Sequence, residues 1–147
     1  MEKEFLIIKP STVKRGLIGS IISEIENRGI KIIAMKMLWI SRSQACELYK
    51  DHEKRDYFEP LVSYAISGPV VALVVSAERV VEHVRHICGS TDPLKAETAS
   101  IRGKYGLSVR KNVVHSSDSH ENALREMKIF FNENELFEYE AVYEKEV

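Results

Sequence analysis

The stretch SGPVVALVV, residues 67–75, determines the fold more than any other part of the 147-residue chain. Gly68 and Pro69 end a helix, because glycine is favoured just past a helix end and proline cannot continue one. The apolar run that follows, residues 70–75, is too short to cross a bilayer and is typical of a strand buried in a sheet. We therefore expect a central strand at 70–75 with partners on both sides.

On the N-terminal side, apolar residues at helical spacing predict a short helix over residues 58–67. Ser41 and Gln44 form a capping box, which predicts the start of another helix. Residues 30–40 are rich in Ile, Met and Trp and predict a long strand. Two basic residues interrupt that strand and are expected to face solvent: Lys31 and Lys36.

Closer to the N-terminus, residues 5–8 form a short apolar run that predicts a buried strand ending before Pro10. A helix should follow it, capped by Thr12 and ended by Gly29, because apolar residues recur there at helical spacing.

On the C-terminal side, Ser76 is positioned to cap a helix that runs to Cys88. Residues 89–112 show no sustained periodicity, and a loop of that length inside a domain is usually functional. A short strand is predicted at 113–114 and a last helix from Ser119. Asn132 and Glu135 then suggest one further capped turn.

The order of elements is strand, helix, strand, helix pair, strand, helix, loop, strand, helix. This order indicates an α+β protein of the ferredoxin-like split βαβ type, with helices covering the sheet. The helix pair is an inserted helical hairpin, and a long loop precedes the last strand. Because neither a repeat nor a linker is visible, we expect one domain over residues 1–147.

Composition narrows the class of protein further. The net charge of −1 argues against a general nucleic-acid binder, which usually has a basic excess. The two cysteines, Cys46 and Cys88, lie among apolar helix positions and are expected to be reduced. The N-terminus lacks the apolar stretch of a signal peptide, and nothing indicates a membrane span. A cytoplasmic location is therefore expected.

The run NVVHSSDS, residues 112–119, is the strongest indication of a site. It places His115 at a strand end before a helix N-terminus, where backbone N–H groups favour anions. Imidazole is a competent nucleophile when a partner fixes its orientation. Glu126 borders the apolar face of the next helix and can point toward His115, and Ser117 can hold its carboxylate. A histidine at a strand end is, however, more often a structural residue.

Five separate blocks, spread over nearly the whole chain, resemble the nucleoside diphosphate kinase family. The family pattern Asn-x-x-His-Gly-Ser-Asp is matched by Asn112, His115, Ser117 and Asp118. The other blocks are IIKPSTVKRGLIG (7–19), SGPVVALV (67–74), GSTDP (89–93) and SIRGKYG (100–106).

The resemblance implies a ping-pong reaction in which His115 takes the γ-phosphate of ATP or another nucleoside triphosphate and passes it to a nucleoside diphosphate. It implies that Glu126 orients the imidazole and that Tyr49 lies beside it. It also implies nucleotide-binding residues: Lys9 for phosphate or sugar hydroxyls, Arg85, Thr91 and Arg102 for phosphates, Asn112 for ribose, and Tyr57 for stacking on the base.

The resemblance further implies that Mg²⁺ arrives on the nucleotide phosphates rather than in a dedicated protein site. A homo-oligomer is implied as well, either a hexamer or a tetramer. The tail that runs on to Val147 favours the hexamer.

Three departures from the family pattern leave alternatives open. Ser11 and Thr12 stand where the family usually has Asp-Gly or a similar pair, which is expected to change the helix cap with little effect on function. Ser116 stands where the family has Gly or Ala, which puts the pose of His115 in question. Tyr57 stands where the family usually has Phe. A nucleotide-binding pseudo-kinase or regulatory module of the same fold is the alternative function, and a ferredoxin-like RNA-binding domain is a more distant one.

The remaining histidines carry weaker signals. His83 and His86 lie three residues apart on a predicted helix, but no third ligand stands at metal spacing. His52 and His120 are predicted to be surface residues.

Overall fold

The structure is a computed structural model that describes residues 1–145. Its centre is a four-stranded antiparallel sheet in the order β2-β3-β1-β4. The strands are β1 (Glu2–Ile8), β2 (Lys31–Leu38), β3 (Val70–Ala77) and β4 (Val114–Ser116). Because β3 lies between β1 and β2, the arrangement is the split βαβ type, and the predicted fold class is confirmed.

Helices cover both faces of this sheet. They are α1 (Pro10–Lys14), α2 (Ile18–Glu26), α3 (Arg42–Leu48), α4 (Phe58–Ala65), α5 (Val80–Cys88), α6 (Ile101–Tyr105) and α7 (His120–Phe130). Short 3₁₀ turns occupy Lys50–His52, Glu133–Glu135 and Val142–Lys145. No helix within residues 1–145 is long and apolar enough to span a bilayer.

The central strands feed two hydrophobic cores, because alternate residues of a strand point to opposite faces. Phe5 and Ile7 pack on one face with α3, α4 and α7. Leu6 and Ile8 pack on the other face with α2 and α5. Burial on both faces explains why β1 and β3 are apolar at successive positions rather than at alternate ones.

Three local capping signals in the sequence were confirmed. Ser41 and Gln44 form the predicted capping box at the start of α3. The Ser119 hydroxyl accepts from the Asn122 N–H at the start of α7, as expected. Asn132 and Glu135 form the predicted final capped turn.

Several element boundaries were predicted wrongly. The last strand, expected at 113–114, is Val114–Ser116 and includes His115, because Val113 lies in a turn at φ 85°. Ser76 caps no helix: it continues β3, paired with Lys3 and Lys31, and α5 begins only after Arg79, which adopts a left-handed conformation at φ 51°. The single helix expected from Thr12 to Gly29 is instead two helices, because Gly16 turns the chain at φ 72°. Thr12 is not a cap: it lies inside α1, and its hydroxyl donates to the Val113 carbonyl.

Two other expectations also needed correction. The long loop before the last strand contains α6, a one-turn helix that is too short to show periodicity. Lys31 does not face solvent: it is only 7% exposed and forms an ion pair with Glu144, Nζ to Oε1 3.0 Å. The partner lies more than a hundred residues away, so the sequence around Lys31 could not reveal it.

Candidate active site

A tight turn presents His115 at the end of the sheet. The Val114 N–H donates to the Asn112 carbonyl at 3.1 Å, and Val113 between them has φ 85°. A β-branched residue is strained there, and such strain persists only where the surroundings enforce it. The Val113 carbonyl accepts from the Lys9 N–H at 3.0 Å and from the Thr12 hydroxyl at 2.9 Å. The N-terminal segment therefore fixes the turn that leads into His115.

The His115 imidazole is held by a carboxylate. Its Nε2 lies 2.6 Å from Glu126 Oε1, and the Ser117 hydroxyl donates to the same oxygen at 2.8 Å. The other carboxylate oxygen lies 3.6 Å from an amino nitrogen of the Arg125 guanidinium. Glu126 is buried on the inner face of α7, so its oxygens have little access to solvent other than through the site.

Two aromatic rings flank the imidazole edge-on. The ring centroid of Tyr49 lies 5.8 Å from that of His115 at an interplanar angle of 88°, and that of Phe5 lies 6.2 Å away at 62°. Burial raises the pKa of the Tyr49 phenol far above its ordinary value, so that the ring stays neutral. Packing and the carboxylate together restrict the His115 ring to one orientation.

Lys9, at the end of β1, reaches into the same site. Its Nζ donates to Asn112 Oδ1 at 2.6 Å and lies 3.4 Å from the Arg110 carbonyl. The Asn112 amide in turn donates to the Thr91 carbonyl at 2.9 Å. Burial, assisted by the Arg102 charge, lowers the pKa of Lys9 to about 7. An anion bound beside Nζ would oppose this shift.

Arg102 and Arg85 bring positive charge from two further elements. Arg102 is buried and donates to the Gly89 carbonyl at 2.9 Å and to the Val114 carbonyl at 2.8 Å. These acceptors are neutral, and burial lowers the pKa of its guanidinium. Arg85 is exposed on α5 and has no ion pair within 4 Å among residues 1–145. Both guanidinium groups can therefore meet an anion.

These groups line one cleft of about 270 Å³. It brings together eight of the ten predicted site residues: Lys9, Tyr49, Arg85, Thr91, Arg102, Asn112, His115 and Glu126. Ser117 is buried behind Glu126. Tyr57 does not line the cleft but stands at its margin, where its hydroxyl lies 2.6 Å from Nδ1 of the cleft residue His52.

The cleft also contains polar residues that sequence reasoning did not select: Asp51, His52, Asp118, Asn122 and Arg125. Asn122 donates to Asp118 at 2.5 Å, and this bond lowers the pKa of the Asp118 carboxyl. Asp118 lies just before α7, and positions 122, 125 and 126 recur along that helix at a spacing that could have indicated their shared face. His52 is exposed as predicted, yet its position in the cleft was missed.

Ser116 does not distort the segment that carries His115. Its backbone pairs with Leu6 in β4, and its φ is not positive. Its side chain is buried on the opposite face of the strand, next to the Cys88 thiol. Ser116 nevertheless lines the same cleft as His115. Among residues 1–145, no group of three or more His, Cys, Asp or Glu side chains could hold a metal ion.

Comparison with known proteins identifies the family to which the chain is similar. The family described as nucleoside diphosphate kinase matches residues 2–136. The nucleoside diphosphate kinase of Thermosipho melanesiensis is 53% identical over 139 residues, covering 95% of both chains. That of Kosmotoga olearia is 46% identical over 99% of both. The structure of a Halobacterium salinarum nucleoside diphosphate kinase in complex with CDP superposes with a TM-score of 0.95 at 36% identity, over 98% of this chain and 96% of that one.

Proposed function

The chain belongs to the nucleoside diphosphate kinase family and is a phosphotransferase, and from this premise we propose that His115 carries the phosphate between two nucleotides. In the first half-reaction the γ-phosphate of a nucleoside triphosphate moves to the imidazole and a nucleoside diphosphate leaves. In the second, another nucleoside diphosphate takes the phosphate from the histidine. The same site serves both halves.

The contact between His115 Nε2 and Glu126 Oε1, at 2.6 Å, carries this proposal. With the carboxylate holding a proton on Nε2, the lone pair of Nδ1 is the nucleophile. As the Nδ1–P bond forms, the bond from the γ-phosphorus to the β,γ-bridging oxygen breaks, and the diphosphate keeps that electron pair. Glu126 stabilises the positive charge that develops on the ring.

Positive charge supplies most of the remaining catalysis, because phosphoryl transfer depends mainly on positioning and on neutralising the phosphate oxygens. We assign the phosphates to Arg85, Thr91 and Arg102, and Lys9 to phosphate or sugar hydroxyls. In support, both arginines and Lys9 reach the cleft without a carboxylate partner inside it among the described residues.

The sugar and base take the remaining part of the cleft. We assign Asn112 to the ribose and Tyr57 to stacking on the base, with ATP and other nucleoside tri- and diphosphates as ligands. The CDP-bound relative supports nucleotide binding in this fold. A flat aromatic face accepts any base, which suits a broad substrate range.

Mg²⁺ is proposed to enter with the nucleotide. Within residues 1–145, the cleft carboxylates Asp51 and Asp118 belong to no group of three or more side chains that could hold a metal ion. The nucleotide phosphates would therefore supply ligands that the protein does not. Phosphate oxygens and water satisfy most of the octahedral preference of Mg²⁺. The ion would neutralise phosphate charge when bound.

We also propose a homo-oligomer, a hexamer or a tetramer, located in the cytoplasm. The edge strand β2 exposes three large apolar side chains on one face and just beyond it: Met35, Met37 and Trp39. Exposed apolar groups next to one another on an edge strand are typical of an interface. Sedimentation of the purified chain would give the subunit number.

The test of the phosphohistidine uses γ-labelled ATP without an acceptor. We expect an acid-labile, base-stable phosphoprotein that passes its label to added CDP. His115→Gln should abolish the label, whereas His120→Gln, at an exposed position on α7, should retain it. A folded wild-type protein that binds nucleotide without being labelled would instead be a pseudo-kinase.

A further inference from the structure

Four rings form a continuous series from the nucleophile to the margin of the cleft. The ring centroids of His115 and Tyr49 lie 5.8 Å apart, those of Tyr49 and His52 6.5 Å, and those of His52 and Tyr57 5.5 Å. The first three rings line the cleft, and the fourth does not. His52 is thus the residue that connects Tyr57 to the cleft.

The connection from His52 to Tyr57 is a hydrogen bond within one compact segment. His52 ends the 3₁₀ turn after α3, and Tyr57 immediately precedes α4. Successive turns join them: the Arg55 N–H donates to the His52 carbonyl at 2.9 Å and the Phe58 N–H to the Arg55 carbonyl at 3.1 Å. The fold therefore sets both backbones, and the 2.6 Å contact between His52 Nδ1 and the Tyr57 hydroxyl sets the ring.

We propose that His52 is a positioning residue for the nucleotide base, because it holds the Tyr57 ring in the orientation that stacks on the planar heterocycle of a nucleoside di- or triphosphate. This rests on the proposed function, in which Tyr57 is the stacking ring. His52 itself takes no part in the chemical step, because the Tyr49 ring lies between it and His115.

The physical reason is preorganisation. Tyr57 is 45% exposed, so little packing restrains its ring. A side chain that must be ordered on binding weakens the complex, and a bond that orders it beforehand recovers that loss. The loss of one such hydrogen bond weakens binding about threefold.

The experiment compares four variants: His52→Ala, Tyr57→Phe, the double variant, and His52→Asn. Dissociation constants for CDP and GDP are measured by calorimetry, and KM and kcat in the transfer assay. Each single variant should raise Kd and KM about threefold with kcat unchanged. The double variant should match the singles, because both remove the same bond. Asn places an amide near the Nδ1 position, so His52→Asn should recover most of the affinity.

His86→Ala is the matched control, since His86 is exposed on α5 and lies outside the cleft. This variant should change neither Kd nor KM. Unchanged affinity in His52→Ala would overturn the proposal, as would additive losses in the double variant. Tighter binding in His52→Ala would also overturn it, by showing that the bond must break to admit the base.

Different results would contradict the phosphohistidine at His115 and the positioning role of His52. An unlabelled wild type would overturn the phosphohistidine, while the calorimetric cycle would still test His52. Wild-type affinity for nucleotide in Tyr57→Ala would show that Tyr57 stacks on no base, and it would overturn the role of His52 even if His115 is phosphorylated normally.

Discussion

The two ends of the cleft are built in different ways. The phosphate end (Lys9, Arg102, Asn112, His115 and Glu126) is assembled from distant parts of the chain: Lys9 and Asn112 meet at 2.6 Å across 103 residues. The base end (His52 and Tyr57) is local and exposed, with one hydrogen bond across five residues.

This difference shows where the fold places rigidity. Buried groups with several partners, such as Glu126, cannot reorient without breaking other bonds, whereas exposed groups adapt to different ligands. Chemistry on a phosphate needs fixed positions, and tolerance of several bases does not. We therefore expect changes at the phosphate end to affect rate, stability and the pH dependence of affinity, and changes at the base end to affect affinity alone.

The largest effect should be on stability, and it should come from replacing a buried carboxyl group behind the phosphate end. Glu4, on β1, is fully buried, and burial raises its pKa from 4.5 to about 9. The folded state therefore binds the proton more tightly than the unfolded state. Stability is unaffected below pH 4.5 and falls as the pH rises toward 9. Glu4→Gln should therefore raise the free energy of unfolding by on the order of a few kcal/mol at pH 8.

Urea unfolding at pH 4, 6 and 8 measures this gain, which should grow with pH and vanish at pH 4. Glu53→Gln removes one exposed charge of the same type and should have little effect at any pH. A gain from Glu4→Gln that is the same at all three values would show that Glu4 is not held protonated.

The second effect concerns rate. Glu126→Gln keeps the shape of the side chain but removes the negative charge at 2.6 Å from His115. Phosphorylation of His115 should slow on the order of 10²-fold, because the ring loses the group that stabilises its developing charge. Single-turnover labelling measures this rate. Glu121→Gln, exposed on the same helix, is the control; equal rates for both variants would remove Glu126 from the mechanism.

The third effect is a dependence of affinity on pH at the phosphate end. The pKa of Lys9 is lowered to about 7, and a bound phosphate should raise it again. Lys9 is charged below pH 7 and must take up a proton on binding above it. The Kd of a nucleoside diphosphate should therefore rise about tenfold from pH 6 to pH 8. Lys9→Gln should flatten this rise, whereas exposed Lys128→Gln should not; parallel curves would contradict the assignment.

The difference between local contacts and contacts across the chain also explains what the sequence could predict. Local signals, such as the caps at Ser41 and Ser119 and the apolar run of β3, are encoded within a few residues and were confirmed. The ion pair of Lys31 with Glu144 and the burial of Glu4 depend on partners far along the chain. They look like ordinary surface charges when only neighbouring residues are considered.

In the cleft, motif matching and geometry succeeded on different residues. The blocks of family resemblance selected Lys9, Arg102 and Asn112, which alone would pass for solvent-facing polar residues, and the structure brings them together. His52 was missed because it belongs to no block and its role depends on a side-chain contact. No spacing rule distinguishes a histidine that bonds Tyr57 from one that points into water.

The smallest effect is on nucleotide affinity at the base end, and it should distinguish the two adjacent rings Tyr57 and Phe58. Tyr57 is exposed beside His52, whereas Phe58 is partly buried and packs against the core on the α3, α4 and α7 face. Tyr57→Ala should weaken nucleotide binding five- to tenfold, because one stacking contact is lost, and should leave stability within about 0.5 kcal/mol. Phe58→Ala should lower stability by roughly 1–3 kcal/mol through lost packing and leave Kd unchanged. Calorimetric titration and urea unfolding of both variants measure the two quantities. If Phe58→Ala weakened binding more than Tyr57→Ala, the stacking ring would be Phe58, and the base end would be part of the buried framework rather than an adaptable margin.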